Sequence, residues 1–129
     1  MDPKALIVED NELLRMLASR TLEEAGFVVF SAPDGPVALR LLEADMFELI
    51  IVDFVMPEMW GDEFVRHVRG HRNPAVRLIP VLGLSGSHKD AESRFLSAGA
   101  NACVRKPLHD EPLVTTVKRL LAANPRRSG

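Results

Sequence analysis

Apolar residues in this chain fall into short runs and spaced stripes that alternate along its length. Ala5-Leu6-Ile7-Val8 has the pattern of a buried strand and closes at Glu9-Asp10-Asn11, where Asp10 or Asn11 can cap a following helix. Leu14, Leu17, Ala18, Thr21, Leu22 and Ala25 then recur at helical spacing, and Gly26 supplies the stop. Phe27 to Phe30 reads as a second strand. Asp34-Gly35-Pro36 turns the chain into a second helix, with Pro36 in its first turn and Ala38, Leu41 and Leu42 on its apolar face. Leu49 to Val52 is a β-branched run suited to a central strand buried on both faces, and it stops at a single carboxylate, Asp53. Pro57 and Gly61 mark a loop before a third helix carrying Phe64, Val65 and Val68, and Arg69 to Pro74 reads as a polar loop. Residues 79–85 predict a fourth strand, with Pro80 near its start. Ala91, Phe95 and Ala98 place a fourth helix, stopped by Gly99, and Ala102 to Arg105 a fifth strand. Leu113, Val117, Leu120 and Leu121 share one face of a last helix, capped by His109 or Asp110, and Asn124 to Gly129 reads as a tail.

Five strands alternating with five helices through short loops predict an α/β fold, a doubly wound parallel sheet with right-handed crossovers. In such a sheet the carboxyl ends of the strands share one edge, and ligands bind beyond them. Four of the five strands here end in polar or charged residues: Glu9 and Asp10, Asp53, Ser85, and Lys106. Residues far apart in sequence therefore become neighbours.

Size and charge narrow the picture. The 129 residues are 47% hydrophobic and 26% charged, enough for one domain with a real core and too few for two. The expected division is a domain over residues 1–123 and a flexible tail or linker stub over 124–129. A net charge of -2 gives no basic excess for direct nucleic-acid binding. A single cysteine forms no internal disulfide, the short apolar stretch broken at Glu9 does not read as a signal peptide, and no apolar run nears the ~20 residues that span a bilayer. A cytoplasmic location, away from membranes, is the expectation.

The shared edge then sets a chemical problem. Two unit charges ~4 Å apart cost about 4 kcal/mol at an effective dielectric of about 20, so three clustered carboxylates call for a bound cation. Hard oxygen donors on open loops suit Mg²⁺ or Mn²⁺ better than zinc, which favours thiolate or imidazole. With Lys106 as a fixed cation and Ser85 as a hydroxyl donor, the set matches what phosphoryl transfer to a carboxylate requires.

The acidic pair Glu9-Asp10, Asp53 followed by Met56-Pro57 and Gly61, Ser85-Gly86, and Lys106-Pro107, in this order at these strand ends, resemble the receiver domain of two-component response regulators. The resemblance runs from Lys4 to about Ala123. It implies a flavodoxin-like (βα)5 fold with strand order 2-1-3-4-5, and phosphorylation of Asp53 by a sensor histidine kinase or phosphotransfer protein. It also implies Mg²⁺ held by Asp10, Asp53 and the main-chain carbonyl of Val55, with Glu9 acting mainly through a water on the metal. Lys106 would pair with the phosphoryl group, and Ser85 beside Gly86 would hydrogen-bond it in the switched-on state. The Lys106-Pro107 bond is expected to be cis. On this reading the chain is a signalling switch and no enzyme beyond promoting its own phosphorylation and dephosphorylation. Its downstream partner is a protein, and its fourth helix, fifth strand and last helix are the surface available for dimerisation.

Two positions depart from the family pattern. Cys103 stands where a Tyr or Phe ring usually moves with the hydroxyl of the Ser85 site, so the signal is expected to leave through the Ser85-to-His88 loop and the fourth helix. Val55, two residues after the acceptor, cannot orient an attacking water, so slow loss of phosphate is expected. His67, His71, His88 and His109 read as scattered surface residues, and Trp60 as a contact residue near the site. Two other readings share the same edge: a receiver-like interaction module that works without phosphorylation, and a metal-dependent phosphatase. Val55 argues against the phosphatase, whose class usually carries a second Asp there as general acid. With no output domain in view, the chain reads as a stand-alone regulator or a receiver from a larger protein.

Overall fold

The structure, a computed structural model, describes residues 2–106 and 110–123. Five strands, β1 (Lys4–Val8), β2 (Val28–Ala32), β3 (Leu49–Asp53), β4 (Val81–Ser85) and β5 (Ala102–Arg105), form one sheet in the order β2-β1-β3-β4-β5. All four pairings are parallel, as the alternation of strands and helices predicts. The helices are α1 (Glu12–Glu24), α2 (Gly35–Ala44), α3 (Gly61–Arg69), α4 (Pro74–Arg77), α5 (Ala91–Ala98) and α6 (Asp110–Ala122).

Six helices among the described residues, rather than five, come from the segment read as a plain loop after α3. Asn73 accepts a hydrogen bond from the Ala75 N–H at 2.9 Å and Pro74 occupies the first turn, so a capped start builds the four residues of α4. Four residues are too few to show helical periodicity. Strand two also starts later and runs longer than predicted. The Phe27 N–H still closes the end of α1 on the Leu22 carbonyl, while β2 continues until Ala32 pairs with Val8. Strand four begins at Val81, because Pro80 has no N–H to give a ladder.

Strand residues alternate between two cores, as a period of two requires. Leu6, Val8, Ile50, Val52 and Val81 face α2, α3 and α5 with Ala38, Leu42, Phe64, Val65, Val68 and Phe95. Ala5, Ile7, Leu49, Ile51 and Leu82 face α1 and α6 with Ala18, Leu22, Leu113, Val117 and Leu121. Each Val, Leu, Ile or Phe among them contributes roughly 1.5–3 kcal/mol when fully buried. The apolar stripe of α1 is narrower than its six predicted positions, since only Ala18 and Leu22 are buried and Leu17 is exposed. Among the described residues no helix is long and apolar enough to cross a membrane.

Candidate functional site

At three strand ends a main-chain bond prolongs the sheet by one step. The Glu9 N–H donates to the Ala32 carbonyl at 3.0 Å, that of Phe54 to Leu84 at 3.0 Å, and that of Lys106 to Ser85 at 2.7 Å. Arg15 adds a bond from Nη1 to the Glu9 carbonyl at 2.8 Å. The cap of α1 is Asn11, which accepts from the Leu14 N–H at 3.0 Å, so Asp10 keeps its carboxylate for the edge. Gly61 holds the far side. Its N–H donates to the Phe54 carbonyl at 2.6 Å, and a Cβ there would lie 2.3 Å from the Asp53 carbonyl oxygen. Only glycine lets α3 begin this close to the end of β3.

Asp53 and Glu9 are both buried, at 6% and 2% exposure, and Lys106 bridges them. Its Nζ lies 2.8 Å from Glu9 Oε1 and 3.0 Å from Asp53 Oδ1. One ammonium thus serves two carboxylates, and exposed Asp10 brings a third. Glu9, Asp10 and Asp53 each offer an oxygen within 4.8 Å of the others. Burial, and then the neighbouring Asp53 carboxylate, push the Glu9 carboxyl up to about 7, with Lys106 pulling the other way. Burial also pulls the Lys106 ammonium down, but Glu9 and Asp53 together hold it above its ordinary value. Glu9 Oε2 is buried without a hydrogen-bond partner. An unsatisfied buried carboxylate oxygen in a cluster of three acids is a place for a hard cation, and with neither imidazole nor thiolate in the set the donors fit Mg²⁺.

The remaining predicted residues lie around this edge. Ser85 is 5% exposed, and its hydroxyl faces the thiol of Cys103; burial pushes that thiol up, and the hydroxyl partly offsets it. Gly86 is exposed, with no atom within 4 Å of where a Cβ would stand, so the approach beyond Ser85 is open. Val55 follows Asp53 in the loop with its side chain exposed. Pro107 and His109 lie outside the described residues. Of the other histidines, His67 is exposed, His71 pairs with Glu43, and His88 is half-buried against rings. Sequence reading missed Asp62 and Arg94. Asp62 is 2% exposed and paired with Arg94 at 2.9 Å, and nothing in the spacing of either residue distinguishes it from a solvated helix charge.

A family model described as the response regulator receiver domain matches residues 5–118. The chain belongs to that family. Among relatives of this receiver domain, a homologue of the transcriptional regulatory protein CpxR from Haemophilus influenzae is 33% identical over 92% of this chain, which spans only 50% of that protein. The crystal structure of the receiver domain of a signal transduction histidine kinase from Syntrophus aciditrophicus is 36% identical. It superposes with a TM-score of 0.86 over 96% of this chain and 93% of its own. A third receiver domain, from a sensor histidine kinase of Pseudomonas aeruginosa, is 25% identical, with a TM-score of 0.86 over 95% of this chain and 100% of its own. Its crystal structure has a magnesium ion coordinated in the active site cleft. Receiver domains thus occur both in regulators and within kinases, and this one is a signalling domain of two-component systems.

Proposed function

We propose that this receiver domain is a phosphorylation-dependent switch whose phosphoacceptor is Asp53. The observation that carries the reading is the Asp53 carboxylate itself, nearly buried, with an ammonium 3.0 Å away and two further acids close enough to share a cation. In the transfer, an Asp53 oxygen forms a bond to phosphorus as the N–P bond of a phosphohistidine breaks. The electron pair of that bond stays on the imidazole nitrogen, which takes up a proton. Lys106 neutralises charge on the acceptor beforehand and is placed to meet phosphoryl oxygens afterwards. Ser85, which faces Cys103 in this structure, supplies a hydroxyl that can turn to the phosphoryl group. Mg²⁺, which Asp10, Asp53 and the Val55 carbonyl would hold with Glu9 acting mainly through water, would neutralise charge on the transferring phosphoryl oxygens. Glu9, buried and protonating near neutrality, is the residue through which pH governs that charge.

The donor is a histidine kinase or phosphotransfer protein, which must reach this edge. The first half of α1 begins beside it and exposes Leu13, Met16 and Leu17, at 58%, 54% and 47%, as an apolar landing strip. A small phosphodonor with Mg²⁺, read by intact mass, should add one phosphate to the wild type and none to Asp53→Ala. If the wild type takes none, the domain works as an interaction surface without phosphorylation. Phosphate, once on, should leave slowly, because the Val55 side chain offers no group to orient water. Val55→Asn should speed its loss several-fold in a phosphate-release assay, and an unchanged rate would remove Val55 from the account.

A further inference from the structure

Cys103 leaves the sheet face beside the acceptor without a ring, and the structure supplies rings to that face from other elements. Cys103 pairs with Gly83 in the ladder between β4 and β5, and Phe95 of α5 lies over Gly83 so closely that a Cβ there would meet its ring at 2.5 Å. Phe95 is fully buried and meets Phe54 edge-on, with centroids 5.3 Å apart. Phe54 is the residue directly after Asp53. Its ring also meets Trp60 at 5.4 Å and His88 at 4.9 Å, and those two meet each other at 5.5 Å. The Arg94 guanidinium covers both Phe54 and Trp60 at 4.9 Å while its Nε donates to Asp62 Oδ2 at 2.9 Å. Three segments that surround the acceptor therefore meet in one cluster: the loop after β3, the loop after Ser85, and α5.

The ion pair that clamps the cluster is shared and incomplete. Arg66 Nη1 contacts the same Asp62 Oδ2 at 3.4 Å, and Asp62 Oδ1 is buried with no hydrogen-bond partner. Arginine and carboxylate commonly pair through two parallel bonds. Arg94 makes one of those bonds here, through Nε, and the other Asp62 oxygen takes none. A single bond is a weaker clamp than a forked pair.

We propose that Phe54, Trp60 and His88, clamped by Arg94 and Asp62, form a latch that is closed while Asp53 is free and opens when the Ser85 segment moves toward a phosphorylated Asp53. This rests on Asp53 being the phosphoacceptor. His88 lies three residues beyond Ser85, so a shift of that segment changes how the imidazole meets Phe54 and Trp60. The latch thus takes the place of a moving ring on β5, with α5 as its output element. Because coupling between two sites is reciprocal, a change that opens the latch must tighten binding at the acceptor.

The test uses beryllium trifluoride with Mg²⁺ as a phosphoryl mimic, with binding followed by fluorine NMR and the latch by emission of Trp60, the single tryptophan of the chain. Binding should change wild-type emission, and His88→Ala and Arg94→Lys should each bind the mimic about fivefold more tightly, the lower end of allosteric coupling. General damage to the fold would weaken binding, so tighter binding separates the latch from a merely structural role. Equal affinities in the three proteins, or a bound mimic that leaves emission unchanged, would overturn the latch. A parallel mass measurement keeps the two ideas apart. Phosphate on the wild type with equal affinities removes the latch alone, whereas no phosphate and no bound mimic removes the acceptor role of Asp53 and the latch with it.

Discussion

Two charges, one half-buried and one buried, sit at opposite edges of the sheet, and they are treated differently. Arg69, at the end of α3, gives Nε to the Gly99 carbonyl at 2.9 Å and Nη1 to those of Arg77 and Ile79 at 2.9 and 2.7 Å. Its Nη2 donates to Asn101 Oδ1 at 2.8 Å. Burial lowers its pKa, with no second charge involved. At the other edge Glu9 shares one ammonium with Asp53 and leaves an oxygen without a partner. The first charge is enclosed by acceptors and holds the loops entering β4 and β5. The second is held in conflict, and conflict of this kind is relieved by a ligand or a reaction.

Removing each charge should therefore have opposite consequences. Arg69→Ala strands the carbonyls of Arg77, Ile79 and Gly99, while Asn101 Oδ1 keeps the Val81 N–H at 2.8 Å, and should lower unfolding free energy by about 3 kcal/mol, read by urea denaturation, the largest effect predicted for this chain. The folded fraction should still accept phosphate. Arg69→Lys should recover only part of the loss, since an ammonium cannot replace the planar fork. A loss within about 0.5 kcal/mol, the range of an ordinary surface substitution, would place Arg69 outside the framework.

Glu9→Gln should do the reverse in the metal-free protein. The folded-state pKa of Glu9 is raised from 4.5 to about 7, so the folded chain binds the extra proton and its stabilising effect is complete below 4.5. That contribution disappears as pH rises through about 7. Gln cannot ionise, and the variant should lack this decline. Mg²⁺ needs the ionised carboxylate, so its affinity for the wild type should climb by up to about tenfold per pH unit below neutrality and then level off. Titration of Mg²⁺ from acid to neutral pH would show this, with weaker binding and a flatter pH profile in Glu9→Gln. An identical slope in the variant would assign the proton to another group.

Much of this was legible in the sequence, for a physical reason. Strand periodicity and strand-end chemistry are local signals, so the order of the elements and the meeting of Glu9, Asp53, Ser85 and Lys106 could be read from residue types alone. The bridge made by Lys106 could not, because it depends on the direction of one flexible side chain. Nor could the pairing of Asp62 with Arg94, 32 residues apart and both on helices, where a charge is ordinarily solvated. Leu17 lies in the open for a related cause: helical spacing gives the apolar stripe, but only packing decides how much of it touches the sheet. The four-residue helix α4 carries a cap and a proline but no repeat.

The contrast between the edges extends to the backbone. Among the described residues, Glu58 is the one non-glycine with positive φ, at 72°, and the Met59 N–H donates to the Pro57 carbonyl at 2.8 Å across it. This tight turn lies in the loop after β3, on the conflicted edge. An L-residue in that region costs roughly 1–2 kcal/mol, whereas glycine adopts it freely but adds flexibility to the unfolded chain. Glu58→Gly should thus stabilise the protein by about 0.5–1 kcal/mol, while Glu58→Ala, which keeps the Cβ, should give no such gain. Thermal unfolding of the pair decides it. If Gly and Ala shift the midpoint equally, the turn stores no strain and the loop beside Asp53 is held by contacts alone. If only Gly stabilises, strain lies next to the acceptor, in the loop that also carries Val55 and Trp60, and some of the force that moves this loop is already present in its backbone.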